Sequence, residues 1–364
     1  APSGFKALCT QNLPTPTIGA TSTTQANHYF DINLSAATGA TRTVSGFNFQ
    51  PDMVWSKNRT YSTNGRWGQI DSVRGVNKTL CSNLTDAEVT SQSDLLTAFN
   101  SDGFSLGADA NAYGWNYNQG GNSQYAYWAW KANGAGSSNT AGTITSTVSA
   151  NTTSGFSIVT YTGTGSNATV GHGIGTAPQM VIIKQRNGIA TYWCVYHTSL
   201  ASGFAVYLNA TFAAGSDPGT FNSTAPTSTV FSIGTSTATN TNGNTYVAYC
   251  FAPVAGYSAF GSYTGNGSTD GPFVYLGFRP RYIMQKRTDS TGTWELYDTA
   301  RDTYNVMSAD LAANLSDAET SVARFDSLSN GFKIRTTGAA TNASGGTYIY
   351  ACFAENPFKY SLAR

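Results

Sequence analysis

The sequence predicts an all-β protein with a few short helices, built as three homologous β-sandwich-like domains in tandem. Aromatic residues make up 13% of the chain, in a background of Thr, Val and Gly that favours strands. Polar and apolar residues alternate in 156–161 and 348–353, and turn-forming clusters at 162–167 and 342–346 separate such runs. One sequence segment also recurs three times, which predicts three related domains.

The repeated segment runs from a glycine through a proline into an apolar stretch that ends at lysine and arginine. It covers Gly46–Arg59, Gly173–Arg186 and Gly277–Arg287. Alignment of the prolines also aligns a lysine, a tryptophan, and an Asp or His four residues beyond the tryptophan. The aligned residues are Pro51, Pro178 and Pro280, then Lys57, Lys184 and Lys286, then Trp67, Trp193 and Trp294, and finally Asp71, His197 and Asp298. We expect them to form the scaffold of the repeat.

Later elements of the repeat follow in the same order. Each copy closes on an aromatic strand, predicted at 125–131, 246–252 and 348–354. The first and third copies share Asn83–Glu88 and Asn314–Glu319, a pattern that the middle copy lacks. Its Thr or Ser followed three residues later by Glu is typical of a capping box, so a short helix is predicted to start there.

Spacing and composition give the domain boundaries. The prolines are 127 and 102 residues apart, too far for a solenoid and enough for each unit to bury its own core. An extended arm is predicted over residues 1–25, a Gly/Ser/Thr/Asn linker over 133–154, and domains over 26–132, 155–254 and 255–364.

Composition excludes several classes of function. Charged residues make up 11% of the chain and the net charge is +1, so the sequence predicts no nucleic-acid partner. No run of 18 apolar residues occurs, and no membrane insertion is expected. The first four residues lack the features of a signal peptide, which argues against ordinary secretion unless a signal was removed.

Five cysteines occur without a CxxC pair, so neither a zinc cluster nor a complete disulfide framework is indicated. Cys250 and Cys352 are expected to be separate buried thiols, and Cys194 to serve in packing. No metal and no cofactor is predicted. The recurring lysines and arginines are interpreted as solvated strand ends or guards against edge pairing, with an anion or nucleic-acid site as the alternative.

Comparison of the three repeat copies argues against two candidate catalytic motifs. Gly103–Gly107 matches G-x-S-x-G, but the third copy has Lys333 at the serine position, so Ser105 is interpreted as a strand residue. His197 could be a base or a metal ligand, but its counterparts are aspartates, which favours a structural role.

Carboxylate pairs would be needed for cleavage of a polysaccharide, and Asp289, Glu295 and Asp298 could supply one. Asp298 recurs as Asp71, however, and each aspartate has an arginine three residues on with which it can pair. The sequence therefore predicts no catalytic residue and a protein that is not an enzyme.

An aromatic loop at 113–118 is unique to the first copy. Tyr113, Trp115, Asn116 and Tyr117 are candidate contacts for a glycan or another partner, because aromatic faces and amide groups suit sugar rings and hydroxyls. The alternative is a loop packed on its own domain.

The segment Gly4–Pro14 resembles the link that follows a SPRY-like or concanavalin-like sandwich in many bacteriophage structural proteins. The rest of the chain is similar to the repeat domain downstream of that link. The residues that carry this resemblance are Gly277–Pro280, Lys286, Arg287, Trp294, Asp298, Asn314–Glu319, Asn330–Phe332 and Asn342–Ala354.

This resemblance implies a virion component, such as a tail fibre, a tail spike or a capsid decoration protein, assembled in the host cytoplasm. The implied partners are other virion proteins and copies of the chain itself, with a trimer expected in a fibre, and a host surface glycan. A carbohydrate-binding adhesin is the alternative, and a polysaccharide depolymerase is a third hypothesis.

Overall fold

The computed structural model describes residues 17–19, 21–61, 65–109, 117–118, 120 and 123–355. Over this part of the chain the protein is all-β, as predicted, with 26 strands and three α-helices of four residues each. No helix among the described residues is long and apolar enough to cross a membrane.

We group the strands into three repeats. In the first repeat they are β1 (Phe30–Ala36), β2 (Arg42–Ser45), β3 (Met53–Asn58), β4 (Trp67–Asp71), β5 (Leu80–Cys81), β6 (Leu96–Asn100), β7 (Gly103–Leu106) and β8 (Gln124–Trp130). In the second they are β9 (Ser137–Asn139), β10 (Ser146–Asn151), β11 (Phe156–Thr162), β12 (Ala168–Gly171), β13 (Met180–Gln185), β14 (Cys194–His197), β15 (Phe204–Tyr207), β16 (Gly215–Ser216), β17 (Val230–Ile233) and β18 (Thr245–Phe251).

The third repeat contains β19 (Ser258–Thr264), β20 (Phe273–Tyr275), β21 (Pro280–Arg287), β22 (Trp294–Asp298), β23 (Met307–Ala312), β24 (Thr320–Leu328), β25 (Gly331–Ile334) and β26 (Thr347–Ala354). The helices are α1 (Pro218–Phe221), α2 (Thr237–Asn240) and α3 (Ala339–Asn342), and a 3₁₀ turn covers Ala26–His28.

Each repeat contains the same antiparallel five-strand arrangement. Its order is β1-β8-β3-β4-β5 in the first repeat, β11-β18-β13-β14-β15 in the second and β19-β26-β21-β22-β23 in the third. The strand that follows the recurring proline therefore pairs with the aromatic closing strand in every copy. A smaller separate sheet accompanies the large one in the first two repeats, formed by β2-β7-β6 and by β12-β17. In the third repeat the large sheet itself continues beyond β23 into β24-β25-β20. This layering is that of a β-sandwich.

The closing strands are buried on both faces, and their alternation explains why. In β8, Tyr125 and Tyr127 belong to a core within the first repeat, whereas Trp128 and Trp130 face a second, larger core. Strand β18 divides its residues between two cores in the same way. Successive side chains of a strand point to opposite faces, so one aromatic strand contributes to two cores.

The larger core is shared by all three repeats. The ring of Phe30 lies 4.8 Å from that of Trp130, 5.5 Å from Tyr282 and 5.1 Å from Phe353, measured between centroids. The ring of Phe251, from the second repeat, lies 5.9 Å from that of Phe353. The expectation that each unit buries its own core is therefore incomplete, because one face of every large sheet packs into this common cluster.

Two predicted elements are wrong. The segment 133–154 is not a plain linker: β9 and β10 lie within it and extend the sheet of the second repeat by pairing with each other and with β11. Its polar composition suits this position near the sheet edge, where Ser146 and Val148 are buried and Thr147 between them is exposed. The domain boundaries themselves stay a prediction.

The helices predicted from the capping boxes do not form either. The N–H of Glu88 donates to the carbonyl of Arg186, and that of Glu319 to the carbonyl of Arg59, so each of these segments binds a neighbouring repeat. Because both glutamate side chains also pair with arginines, they do not reach back to a cap residue.

Two smaller predictions concern the cysteines and the arm. The four described cysteines, Cys81, Cys194, Cys250 and Cys352, are free and buried, which confirms separate thiols. Most of the predicted arm lies outside the described residues, but Ile18 is fully buried in the shared core.

We expect the chain to unfold in one cooperative transition, because no repeat can leave without exposing the shared aromatic cluster to water. Differential scanning calorimetry checks this by comparing the calorimetric with the van't Hoff enthalpy. Three resolved transitions would contradict the shared core.

Candidate functional site

The recurring lysines connect the repeats into a ring. Lys184 of the second repeat donates from Nζ to the carbonyl of Thr85 in the first at 2.9 Å. Lys57 of the first donates to Ser316 in the third at 3.2 Å, and Lys286 of the third to Thr211 in the second at 3.1 Å. We name these contacts the 1–2, 1–3 and 2–3 junctions. Each repeat therefore contacts both others through the same element.

Tryptophan indoles strengthen every junction. Trp193 donates from Nε1 to the carbonyl of Leu84 at 3.1 Å, Trp67 to Leu315 at 3.0 Å, and Trp294 to Tyr207 at 2.9 Å. All three indoles are buried, at 1% exposure or less. The scaffold role predicted for these tryptophans therefore includes a contact across a junction, which sequence reasoning did not anticipate.

An asparagine fixes the backbone of each tryptophan. The side-chain oxygens of Asn83, Asn209 and Asn314 accept from the backbone N–H of the tryptophan in their own repeat at 2.9, 2.9 and 2.8 Å. The middle repeat thus retains the Asn-x-Thr segment, as Asn209–Thr211, although it lacks the rest of the capping-box pattern. The signal that could have revealed it is the spacing of 16 residues from tryptophan to asparagine, equal in the first two copies.

The lysines are not solvated strand ends, and that interpretation is wrong. Lys57, Lys184 and Lys286 are fully buried, and burial lowers the pKa of each ammonium to about 8. Each Nζ also donates to at least one carbonyl of its own repeat, such as Thr191 for Lys184 at 3.0 Å. The carbonyls at loop ends need donors when buried, and the ammonium groups supply them.

Two of the three junctions carry an arginine–glutamate–arginine group. At the 1–2 junction Glu88 pairs with Arg74 and Arg186, both at 2.9 Å. At the 1–3 junction Glu319 pairs with Arg301 at 3.0 Å and with Arg59 at 2.6 Å. Because each glutamate joins an arginine of its own repeat to one of its neighbour, the carboxylate holds the two repeats together.

The 2–3 junction lacks this ionic group. The positions of the first arginine, the glutamate and the second arginine are occupied here by Leu200, Ala214 and Thr288. The backbone hydrogen bond is kept, because the N–H of Ala214 donates to the carbonyl of Thr288 at 2.8 Å. Exposed aromatic residues lie beside it, with the rings of Tyr192 and Phe212 5.9 Å apart. This junction is the least charged of the three.

A second recurring contact involves Asp71 and Asp298. Oδ2 of Asp71 accepts from Nε of Arg74 at 2.5 Å and from the hydroxyl of Tyr249 in the second repeat at 2.7 Å. Oδ2 of Asp298 accepts from Arg301 at 2.6 Å and from Nε1 of Trp128 in the first repeat at 3.1 Å. The predicted Asp–Arg pairs are confirmed, and each also receives a donor from a neighbouring closing strand.

His197 replaces aspartate because its neighbour offers an acceptor. The position aligned with Trp128 and Tyr249 is Ala351 in the third repeat, which has no side-chain donor. His197 instead donates from Nε2 to the carbonyl of Tyr350 at 3.1 Å, and its Nδ1 accepts from the N–H of Ser199 at 3.1 Å. Both bonds need the neutral ring, and burial lowers its pKa to about 4.

The carboxylates considered for glycan cleavage do not form a pair. Glu295 and Asp298 are three residues apart in β22, so they point to opposite faces of the sheet. Burial and the neighbouring Asp310 hold the pKa of Glu295 well above its ordinary value. Asp289 pairs with Arg287 at 2.8 Å. Two carboxylates on opposite faces cannot flank one glycosidic bond.

Of the aromatic loop, Tyr113, Trp115 and Asn116 lie outside the described residues. Tyr117 is fully buried, and its hydroxyl lies 2.8 Å from Oγ1 of Thr79. The prediction that Tyr117 is an exposed contact for a partner is therefore wrong. A Cβ at Gly68 would lie 2.7 Å from the ring, so the glycine after Trp67 makes the space that Tyr117 fills. The alternative of packing on the loop's own repeat holds for this residue.

A cavity of about 30 Å³ lies within the shared core, between all three repeats. Its lining is mainly methionine and aromatic, and two buried polar atoms of its lining residues, Oε1 of Gln69 and Nε1 of Trp130, have no hydrogen-bond partner. A space of this size holds water-sized molecules. Among the described residues no group of three His, Cys, Asp or Glu side chains is placed to hold a metal ion.

Two larger clefts open on the second repeat. One, of about 210 Å³, is lined mostly by Ser and Thr with Arg186 at its side. The other, of about 220 Å³, has aromatic and hydroxyl side chains in its wall and extends along 196–204 and 221–225. Each of these two clefts is large enough to receive a small ligand.

A family model described as "Domain of unknown function (DUF7483)" matches residues 25–357. The chain belongs to this family. The match includes all three repeats, so the DUF7483 region contains the complete ring. Comparison with curated proteins gives no match.

In this DUF7483 ring we expect His197→Asp to lower the free energy of unfolding by roughly 3–5 kcal/mol, because it would place a buried carboxylate against the carbonyl of Tyr350. His197→Asn is the matched control, since its amide can still donate, and its loss should stay within about 1–2 kcal/mol. Urea unfolding measures both. Equal losses in the two variants would contradict the donor role.

His197 should also make the ring acid-sensitive. Its folded pKa is about 4, below the ordinary 6.5, so its contribution is complete above pH 6.5 and is lost as the pH falls through about 4. Relative to His197→Asn, the unfolding free energy of the natural protein should fall by roughly 3 kcal/mol over this range, so the variant should become the more stable of the two near pH 4. Parallel pH profiles would show that the imidazole does not titrate with unfolding.

Proposed function

We propose that this chain is a non-enzymatic structural protein on the exterior of a bacteriophage particle, in a tail fibre, a spike or a decoration layer, where it contacts the host or neighbouring subunits. The observation that carries this proposal is the closed ring. Three homologous sandwiches are connected by repeated junctions around one core within a single chain.

The ring suits a protein that must keep its shape outside a cell. Its junction lysines and tryptophans make buried contacts between repeats, and opening a junction would break these contacts and expose the shared apolar core to water. Resistance to unfolding in such a protein is a matter of rate, and a core shared by three repeats raises the barrier to local opening. A low-charge surface rich in Gly, Thr and Asn adds to this support.

The arrangement of the repeats also suits a symmetric particle. Most homo-oligomers have closed point-group symmetry, and the ring arranges three related repeats, whose outer edge strands differ, around one core. One copy could then occupy a threefold axis. The expected homo-oligomer stays a prediction and would use these outer edges, because the junction contacts are already made within one chain.

The resemblance to repeat domains of phage structural proteins supports the same proposal. The residues that carry it include Lys286, Trp294 and Asp298, each of which contacts a neighbouring repeat. It transfers no catalytic residue. Localisation on the virion, after assembly in the host cytoplasm, belongs to this proposal.

The test is to determine whether phage particles produced from the genome that encodes this chain contain it, and where in the particle it lies. Mass spectrometry should detect the chain in purified particles, and antibodies against it should label intact particles. A cryo-electron microscopy map should show ring-shaped density on the exterior. Absence from the particle, or labelling that appears only after disruption of the capsid, would overturn the proposal.

A further inference from the structure

The cleft along 196–204 and 221–225 in the second repeat has features of a small binding pocket. Its wall includes α1 and the loop after it, and within the described residues neither other repeat has a helix at this place in the chain. The recurring scaffold therefore does not account for it. Its volume, about 220 Å³, lies below that of pockets for drug-sized ligands, so it suits a single small ring.

Aromatic side chains form the apolar part of the pocket. Phe221 is 5% exposed and packs edge-on against Tyr196, with ring centroids 5.7 Å apart and an interplanar angle of 64°. Phe204 is 37% exposed, although it belongs to a sheet whose other side chains are mostly buried. An exposed aromatic face next to a pocket can stack on the C–H face of a bound ring.

Hydroxyl groups form the polar part. Oγ of Ser202 donates to the carbonyl of Ser223 at 2.9 Å, and Oγ1 of Thr224 donates to the carbonyl of Asn222 at 2.8 Å. Each hydroxyl hydrogen is thus already used, which leaves the oxygen lone pairs as acceptors. Thr198 is exposed and adds a further hydroxyl. The pocket therefore offers several acceptors to a ligand that donates from hydroxyl groups.

Charge is absent from the lining. None of the residues that line this pocket is Asp, Glu, Lys or Arg, whereas the other cleft of the second repeat includes Arg186. An uncharged lining gives an ionised ligand no compensation for lost hydration. The combination of aromatic faces and acceptor hydroxyls instead suits a neutral molecule with both C–H faces and hydroxyl edges.

We propose that this pocket binds one neutral sugar residue of a glycan, with Phe204 and Tyr196 against the sugar face and the Ser and Thr oxygens accepting from its hydroxyls. The inference rests on the proposed function for the source of the glycan, a host surface. The pocket chemistry can be tested without it. This site differs from the loop at 113–118 that the sequence favoured.

The experiment uses the full chain and saturation-transfer NMR. The probes are methyl glucoside, methyl galactoside, methyl mannoside and N-acetylglucosamine, with glucuronic acid and N-acetylneuraminic acid as charged contrasts. We expect at least one neutral probe to bind with Kd on the order of 1–10 mM, as a small ligand in a small pocket should. The charged probes should not compete with it.

Two variants locate the binding. Phe204→Ala should weaken binding of the neutral probe about tenfold or more, since it removes the exposed ring. Phe273→Ala is the matched control, because Phe273 also begins a short strand and is 44% exposed, but lies in the third repeat. Thr198→Val, at an exposed position, tests a single hydroxyl and should weaken binding without changing the melting temperature.

Absence of binding by every neutral probe would overturn the inference, as would binding of the charged probes alone. Equal affinities in Phe204→Ala and Phe273→Ala, together with unchanged binding by Thr198→Val, would also overturn it. Failure here leaves the particle proposal intact, because localisation on the virion uses no glycan. If the chain is not found on the particle exterior, the sugar-binding result is still valid, because the NMR experiment uses the isolated chain.

Discussion

The buried ammonium-to-carbonyl contact at each junction is the interaction on which the rest of the structure depends. Lys57, Lys184 and Lys286 each carry a donor from a central strand to a loop end of a neighbouring repeat. Without these donors the loop carbonyls would be buried unpaired, and the repeats could not approach closely enough to share one aromatic core. Ring closure, burial of the tryptophans and the common core all follow from this contact.

Departures from the repeat can be explained by the neighbour that each residue faces. His197 stands in place of aspartate because Ala351 supplies no donor and a backbone carbonyl is opposite. Gly68 stands where Tyr117 needs room. A difference between copies therefore marks a compensating change, at a junction for His197 and within the first repeat for Gly68, or a feature with a use of its own, as we propose for the pocket of the second repeat.

Sequence reasoning found the fold and most of the scaffold. The all-β class, the closing strands and the Asp–Arg pairs are all present, because alternation and local spacing determine them directly. The predictions of a linker at 133–154 and of capping-box helices were wrong, because a polar segment can also form a strand at a sheet edge and an Asn-to-Glu motif can also bind a neighbouring repeat. In the folded chain, β11 and the neighbouring repeats are the partners of these segments.

The sequence by itself determined that three β-rich copies exist and which residues recur in them. It could not determine what the recurring residues contact, because every decisive partner is far away in the chain: Thr85 for Lys184, Tyr249 for Asp71, and Tyr350 for His197. Tertiary structure decided that these charges are buried donors rather than solvated ends. Burial of the apolar sheet faces in one core favours the ring over three separate domains, and the donors are needed because that burial removes the carbonyls from water.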